Sequence, residues 1–333
     1  MAGQFLGVLI IFLSAGGFAA DVRSYLRRPA EWFKTEEALR IGTNILSWQA
    51  PKGGWPKNVD TVSGICTNTN ALRGTFDNGA TTGELRFLAK LYRANHGEQF
   101  KKTFRQQFSY ILETQYANGG WPQSKPAYNN YGHYVTYNDN AFLRLAELVR
   151  DVAKLPDFDF VEPELRESAV RSFERAIQCV LRTQVKVDGE LTVWCAQHDE
   201  KTLEPRPART FELASLSGAE SAGLLLLLMS LEDPTPEIRR AIEAGVRWYE
   251  KAQLTGIREI RENGDKRITK DPSAPPLWAR FYEIGTNRPI FAGRDGIKRY
   301  SIEEIEAERR NGYAWYGSWG KEVLARHKSP TGR

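Results

Sequence analysis

Four segments of this chain repeat one another at nearly constant spacing. Ile45-Leu46-Ser47-Trp48-Gln49 leads to Gly53-Gly54-Trp55-Pro56, and Ile111-Leu112-Glu113-Thr114-Gln115 leads to Gly119-Gly120-Trp121-Pro122. Val180-Leu181-Arg182-Thr183-Gln184 leads to Gly189 and Trp194, and Val246-Arg247-Trp248-Tyr249 leads to Gly256. The segments begin at positions 45, 111, 180 and 246, so the spacings are 66, 69 and 66 residues. A period of that size holds two helices and their connections. Apolar residues between the segments recur at helical spacing, in Leu85, Leu88, Ala89, Leu91 and Tyr92, in Phe104, Phe108, Ile111 and Leu112, and again over 141–152, 165–181 and 221–231. Helical hairpins repeated in one domain stack as an open solenoid or close into a ring. The closed form, a mainly α fold known as an α/α toroid, is the expectation. It gathers the Gly-Gly-Trp-Pro turns at one end and forms a funnel lined by aromatic rings and charge.

Met1 to Ala20 carries no charged side chain and runs apolar from Phe5 to Phe18 before small residues and Asp21. Despite the missing Lys or Arg near its start, this predicts a secretory signal peptide cut near Ala19 or Ala20. Residues 21–333 are then one toroid domain, expected to be secreted or periplasmic. An uncleaved anchor is the alternative, but the apolar run is short for a span of about 20 residues. No later segment has the length of a transmembrane helix, so no membrane association is expected after cleavage. The net charge of +5 falls on the mature part and suits an anionic partner. Nucleic acid is disfavoured, because the Lys and Arg residues are scattered and no nucleic-acid-binding signature is present. Cys66, Cys179 and Cys195 allow one disulfide at most. Toward the C-terminus a Pro-rich break over 271–276 and alternating aromatics over 278–300 predict short strands or long loops. Ser301-Ile302-Glu303-Glu304 reads as an N-cap opening a last helix through Arg310, with a frayed tail after Leu324.

Polar chemistry is densest from Trp194 to Ser217, where Trp, Cys, Gln, His, Arg, Glu and Ser precede an all-apolar helix. That density suggests an active-site wall. Asp77-Asn78 and Asn138-Asp139-Asn140 each stand just before a helix. Either alone reads best as a helix cap. Two such turns at one end of a toroid would bring carboxylate and amide oxygens together, a donor set suited to Ca²⁺. Cys195 and His198 lack the partners that a zinc site or a thiol nucleophile requires, and Cys195 reads as a packed thiol. Arg209, Arg280 and Arg294 stand among aromatics and acids. Each could form a structural salt bridge or an aromatic stack, or could bind substrate carboxylates through its planar fork.

Seven stretches in order along the chain carry a resemblance: 53–58 (Gly-Gly-Trp-Pro-Lys-Asn), Asp77-Asn78, 136–140 (Thr-Tyr-Asn-Asp-Asn), 191–198, 208–218, 280–288 and 293–296. In these the chain resembles the family 10 polysaccharide lyases, which are pectate lyases. The resemblance implies an α/α toroid and Ca²⁺-dependent β-elimination on polygalacturonate (pectate), giving 4,5-unsaturated oligogalacturonides. It implies that Asp77 and Asp139 hold substrate-bridging calcium with Asn78 beside them, that Arg209 is the base, and that Arg280 and Arg294 bind substrate carboxylates. Lys57, Asn78 and His198, inside the matching stretches, are also expected to bind substrate. The turn after Asp77-Asn78 and the region 124–134 depart from the pattern, which bears on subsite preference. A free guanidinium stays protonated at ordinary pH, so Arg209 as base requires a cation-rich site that depresses its pKa. Two alternatives stand beside this reading: a toroid glycoside hydrolase on uronate polysaccharide, using Asp77, Asp139 or Glu212, and a non-catalytic binder of acidic polysaccharide. A monomer is expected in each case.

Overall fold

The computed structural model describes residues 21–329; the expected signal peptide lies outside the described residues. Ten α-helices occur among them: α1 (Val22–Tyr25), α2 (Glu36–Ser47), α3 (Thr82–Asn95), α4 (Glu98–Thr114), α5 (Ala141–Lys154), α6 (Pro163–Thr183), α7 (Glu220–Met229), α8 (Pro236–Lys251), α9 (Ala307–Asn311) and α10 (Trp319–Lys328). They form two layers. In the inner layer α3 packs on α5 and α5 on α7; in the outer layer α2, α4, α6 and α8 follow one another, and α10 packs against α7 and α8. The fold is the expected α/α toroid. Each repeat is an outer helix, a loop across one end, and the next inner helix.

The sequence pattern decides which layer a helix joins. α5 buries Ala141, Phe142, Leu145, Ala146, Leu148, Val149 and Val152, a stripe at spacings of three and four. By contrast α7, Glu-Ser-Ala-Gly followed by five leucines and Met, is apolar nearly all round and sits between neighbours on both sides. The interlayer core runs continuously from Val22 to Val323.

The repeated tryptophan has one task, performed four times. Each buried indole donates to a carbonyl near the C-terminus of the preceding outer helix: Trp55 to Ile45 (2.7 Å), Trp121 to Ile111 (3.0 Å), Trp194 to Val180 (2.7 Å) and Trp278 to Tyr249 (2.9 Å). Helix C-termini leave carbonyls without intrahelical donors, and the indole satisfies one inside the core. The glycines before it follow from the same turn. Gly53 and Gly119 have φ of +99° and +92°, and a Cβ on Gly119 would lie 1.9 Å from the Arg175 carbonyl oxygen. Trp121→Ala would remove a buried ring that packs edge-on against Phe142 and would strand the Ile111 carbonyl. We expect a loss of about 3–5 kcal/mol, measured by denaturant unfolding.

The fourth repeat differs from its reading in the sequence. Its tryptophan, Trp278, follows Gly256 only after an inserted hairpin, Ile257–Glu262 paired antiparallel with Asp265–Lys270. The turn is Asn263-Gly264, both at positive φ, as a tight two-residue hairpin requires. Beyond it, two-residue strands at 278–279, 281–282, 291–292 and 298–299 match the expected short strands. The last helix is a correction. Ser301 does cap its turn with a full capping box, but only three residues of 3-10 helix follow. Ile302 and Ile305 are both buried in a small second core with Phe211, Phe281, Phe291 and Trp315, and Ile305 is extended, which breaks the helix before α9. The tail expected to fray is helical through Lys328, as α10.

Candidate active site

The inner helices are approached through tight turns that sit side by side at one end of the toroid. The turn Asp77–Gly79 leads into α3 and contacts the turn Asn138–Asn140, which leads into α5 and contacts α7. Asn78, Asp139 and Asn140 lie in the left-handed region, at φ of 53°, 50° and 59°. Asn and Asp tolerate that region better than other non-glycine residues. Thr81, β-branched and at φ 68°, tolerates it least; it is held by a bond from its hydroxyl to the Thr75 carbonyl and one from the Trp55 amide. The repeat loop and the site turn are thereby one unit.

A cavity of about 500 Å³ opens beside these turns, lined among others by Lys57, Asn78, Glu84, Asp139 and Arg144. Asp77 is buried at its edge. It accepts from the Lys57 ammonium, from Gln123 Nε2 (3.1 Å) and from the Asn78 amide (2.9 Å). Asp139 accepts from Arg280 Nη2 (3.2 Å) and Asn138 Nδ2 (2.8 Å). Arg280 also pairs with buried Glu220. Burial by itself would lower the guanidinium pKa, but Glu220, Tyr313 and Asp139 together outweigh it, and the net shift is upward.

From Arg280 the site continues into an arginine cluster built on two rings. Arg280 lies 4.8 Å from the centroid of Tyr313. Phe211, edge-on to Tyr313 at 5.4 Å, has Arg209 at 4.7 Å, Arg294 at 5.4 Å and Arg309 at 4.4 Å. Aromatic faces attract guanidinium groups, which offsets part of the mutual repulsion of four cations gathered around two rings. Arg209 Nε and Nη2 bond to the two oxygens of Glu212 at 2.8 and 2.5 Å.

The sequence-predicted residues divide as follows. Lys57, Asp77, Asn78, Asp139, Arg280, Arg209 and Arg294 form one chain of contacts across the end of the toroid, through the paired turns, Tyr313 and Phe211. Arg294 is exposed and pairs with Glu308 at 3.0 Å, the salt-bridge alternative of the sequence reading. His198 is a correction: its ring is fully buried, Nδ1 donates to the Leu203 carbonyl (2.9 Å) and Nε2 accepts from the Cys195 amide (3.2 Å). Burial lowers its pKa to about 4, so it is a neutral brace of the 195–206 loop and does not face the cleft. The expected depression of Arg209 is also reversed, because the Glu212 carboxylate holds its pKa above the usual value. Cys195 is buried and unpaired, as read.

Sequence reasoning missed Tyr313, Phe211, Arg309 and Glu220. Only Glu220 had a signal: Ser217-Gly218-Ala219-Glu220 before an apolar run is a capping-box pattern, and the Glu220 amide does donate to Ser217 Oγ at 3.2 Å. Among the described residues no group of three or more His, Cys, Asp and Glu side chains is arranged to hold a metal. The donors around the paired turns are nonetheless hard oxygens that fit calcium in type, and Asn138 Oδ1 is buried without a hydrogen-bond partner. Protein oxygens alone would fill part of a shell of 6–8.

Glu84, at the start of α3, is fully buried, and its Oε2 has no partner among the described residues. Burial raises its pKa to about 7. A carboxyl whose folded pKa is raised contributes stability that is complete below about pH 4.5 and lost as pH rises through about 7. Glu84→Gln should therefore gain thermal stability relative to the parent as pH goes from 4.5 to 8. A melting-temperature difference that stays constant across that range would refute the assignment.

Residues 49–324 match a family model described as pectic acid lyase. A mutant of a family 10 polysaccharide lyase from Cellvibrio cellulosa, solved in complex with trigalacturonic acid, is similar with a TM-score of 0.81 and 34% identity, over 92% of this chain and 95% of that one. A second structure described as a family 10 polysaccharide lyase from the same organism superposes with a TM-score of 0.79 at 33% identity, over 90% and 96% of the two chains. Among curated proteins nothing matches.

Proposed function

The chain belongs to the pectic acid lyase family and is a family 10 polysaccharide lyase, and from that premise we propose that it cleaves polygalacturonate by Ca²⁺-dependent β-elimination with Arg209 as the base. The observation that carries the reading is the unbroken line of Asp77, Asp139, Arg280 and Arg209 across one end of the toroid. Carboxylate turns for a divalent ion stand at one end of that line and guanidinium groups for substrate carboxylates at the other. The oligogalacturonide complex of the similar Cellvibrio enzyme supports the substrate class.

The chemistry requires removal of the C5 proton, which lies α to a carboxylate. An ionised carboxylate stabilises the adjacent carbanion poorly, so the site must draw charge off it. Arg280, buried and held by Glu220 and Asp139, presents a fixed guanidinium for that carboxylate. Asp77 and Asp139, with Asn78 beside them, would hold calcium, whose divalent charge would act on the same group. Arg294 stands exposed and free to exchange Glu308 for substrate. Arg209 takes the C5 proton, the C–H pair becomes the C4–C5 double bond, the C4–O4 bond breaks, and O4 leaves with its pair and is protonated by solvent. Glu212 holds Arg209 protonated in the free site, and only the neutral guanidine can take the C5 proton, so turnover requires the neighbouring arginines and a bound cation to offset Glu212, which gives an alkaline working range.

Incubation of the protein with polygalacturonate at mildly alkaline pH should give ultraviolet absorbance from the unsaturated product, growing with calcium and suppressed by a chelator. No absorbance from folded protein in either condition would sink the reading. Saturated products without calcium dependence would favour the hydrolase alternative, and binding without turnover the non-catalytic one. Export from the cell as a monomer completes the proposal; among the described residues no helix is long and apolar enough to cross a membrane.

A further inference from the structure

Glu212 is the best-anchored group beside the proposed base, yet the reaction as written gives it no part in placing that base. Its side chain is 3% exposed, and both oxygens are committed. Oε2 accepts from Arg209 Nε (2.8 Å) and the Arg209 amide (3.2 Å), while Oε1 accepts from Arg209 Nη2 (2.5 Å) and the Tyr313 hydroxyl (2.8 Å). Arg209 is therefore bound along one edge only. Its Nη1 has no hydrogen-bond partner among the described residues, and 40% of the side chain is exposed. Phe211, 4.7 Å from the guanidinium carbon, supports the plane of the group. One edge pinned and one face supported leave a single nitrogen of the half-exposed group unengaged.

We propose that Glu212 is the positioning residue of Arg209: it pins Nε and Nη2, Tyr313 holds the pin in place, and Nη1 is the nitrogen that meets the C5 proton. The assignment rests on the reaction proposed above. The same contact has a second consequence. A carboxylate beside the guanidinium favours its protonated form, so Glu212 also sets the pH above which Arg209 can accept a proton. Positioning and pH setting are separable. Glu212→Asp keeps the charge but withdraws it by one methylene, whereas Glu212→Gln keeps the length and removes the charge.

The test is kcat and KM on polygalacturonate across pH for the parent and both variants. For Glu212→Asp the expected result is a kcat about 100-fold lower with little change in KM, since a displacement near 1 Å at the reacting group has that effect. For Glu212→Gln the acid limb of the kcat profile should move to lower pH by about one unit or more. Tyr313→Phe should lower kcat less than Glu212→Asp. A structural role alone would lower the melting temperature and leave the limb in place; that outcome, or parent kinetics in both variants, overturns the proposal. A parent enzyme that yields no unsaturated product brings down the reaction instead. The pin is then judged from arginine-¹⁵N resonances, with Arg209→Lys for assignment. Two distinct Arg209 Nη signals that collapse in Glu212→Gln support it, and unchanged signals refute it.

Discussion

Arg209→Ala is expected to lower kcat by about 10³-fold or more while leaving the fold intact, the upper part of the range for a lost general base. The fold should survive because the side chain is half-exposed and its packing partner, Phe211, keeps Arg309 on its ring. The substitution does leave Glu212 without its strongest partner in a buried position, although Tyr313 still donates to it. Some loss of stability at neutral pH is therefore expected, and circular dichroism melting must accompany the kinetics. KM should change little, since Arg280 and Arg294 remain for substrate carboxylates. Near-normal turnover would remove Arg209 from the mechanism. A large rise in KM at unchanged kcat would make it a binding residue.

The second large effect is expected at Asp139. Alanine is the wrong probe there, because the backbone sits at φ 50°, which Asn tolerates and Ala does not. Asp139→Asn keeps an acceptor oxygen and removes the charge. We expect activity to fall by about 100-fold or more at fixed calcium, since even groups behind a metal ligand are worth 10–100-fold. Partial recovery at higher calcium would place the loss in cation binding. Arg280 should hold its position, because Glu220 remains as its buried partner. Equal loss at every calcium concentration would move Asp139 from the cation to the substrate.

How much of this was legible in the chain itself depends on the range of the interaction. The helical stripes and the Gly-Gly-Trp-Pro loops are local patterns visible within one repeat, and their recurrence every 66 to 69 residues is read by laying one repeat on the next. They determined a toroid of paired helices with aromatic loops at one end, since a buried indole capping an outer helix needs residues only 10 to 14 positions apart in the first three repeats. The fourth tryptophan escaped that reading because a hairpin separates it from its helix by 29 positions. Motif resemblance placed Asp77, Asp139, Arg209, Arg280 and Arg294 in one site, and the structure joins them.

Tertiary structure alone decided which partners those side chains take. Arg280 meets Asp139 across 141 positions and Glu220 across 60, and Tyr313 meets Glu212 across 101. No periodicity encodes such pairings, because they depend on how the last strands fold back over the inner helices. The same long-range packing buried His198 behind its own loop and set Glu212 against Arg209, reversing the charge environment that a count of nearby cations would suggest. A sequence read alone counts charges; the folded chain determines which of them lie within hydrogen-bond distance, and at that distance one carboxylate outweighs several more distant guanidinium groups.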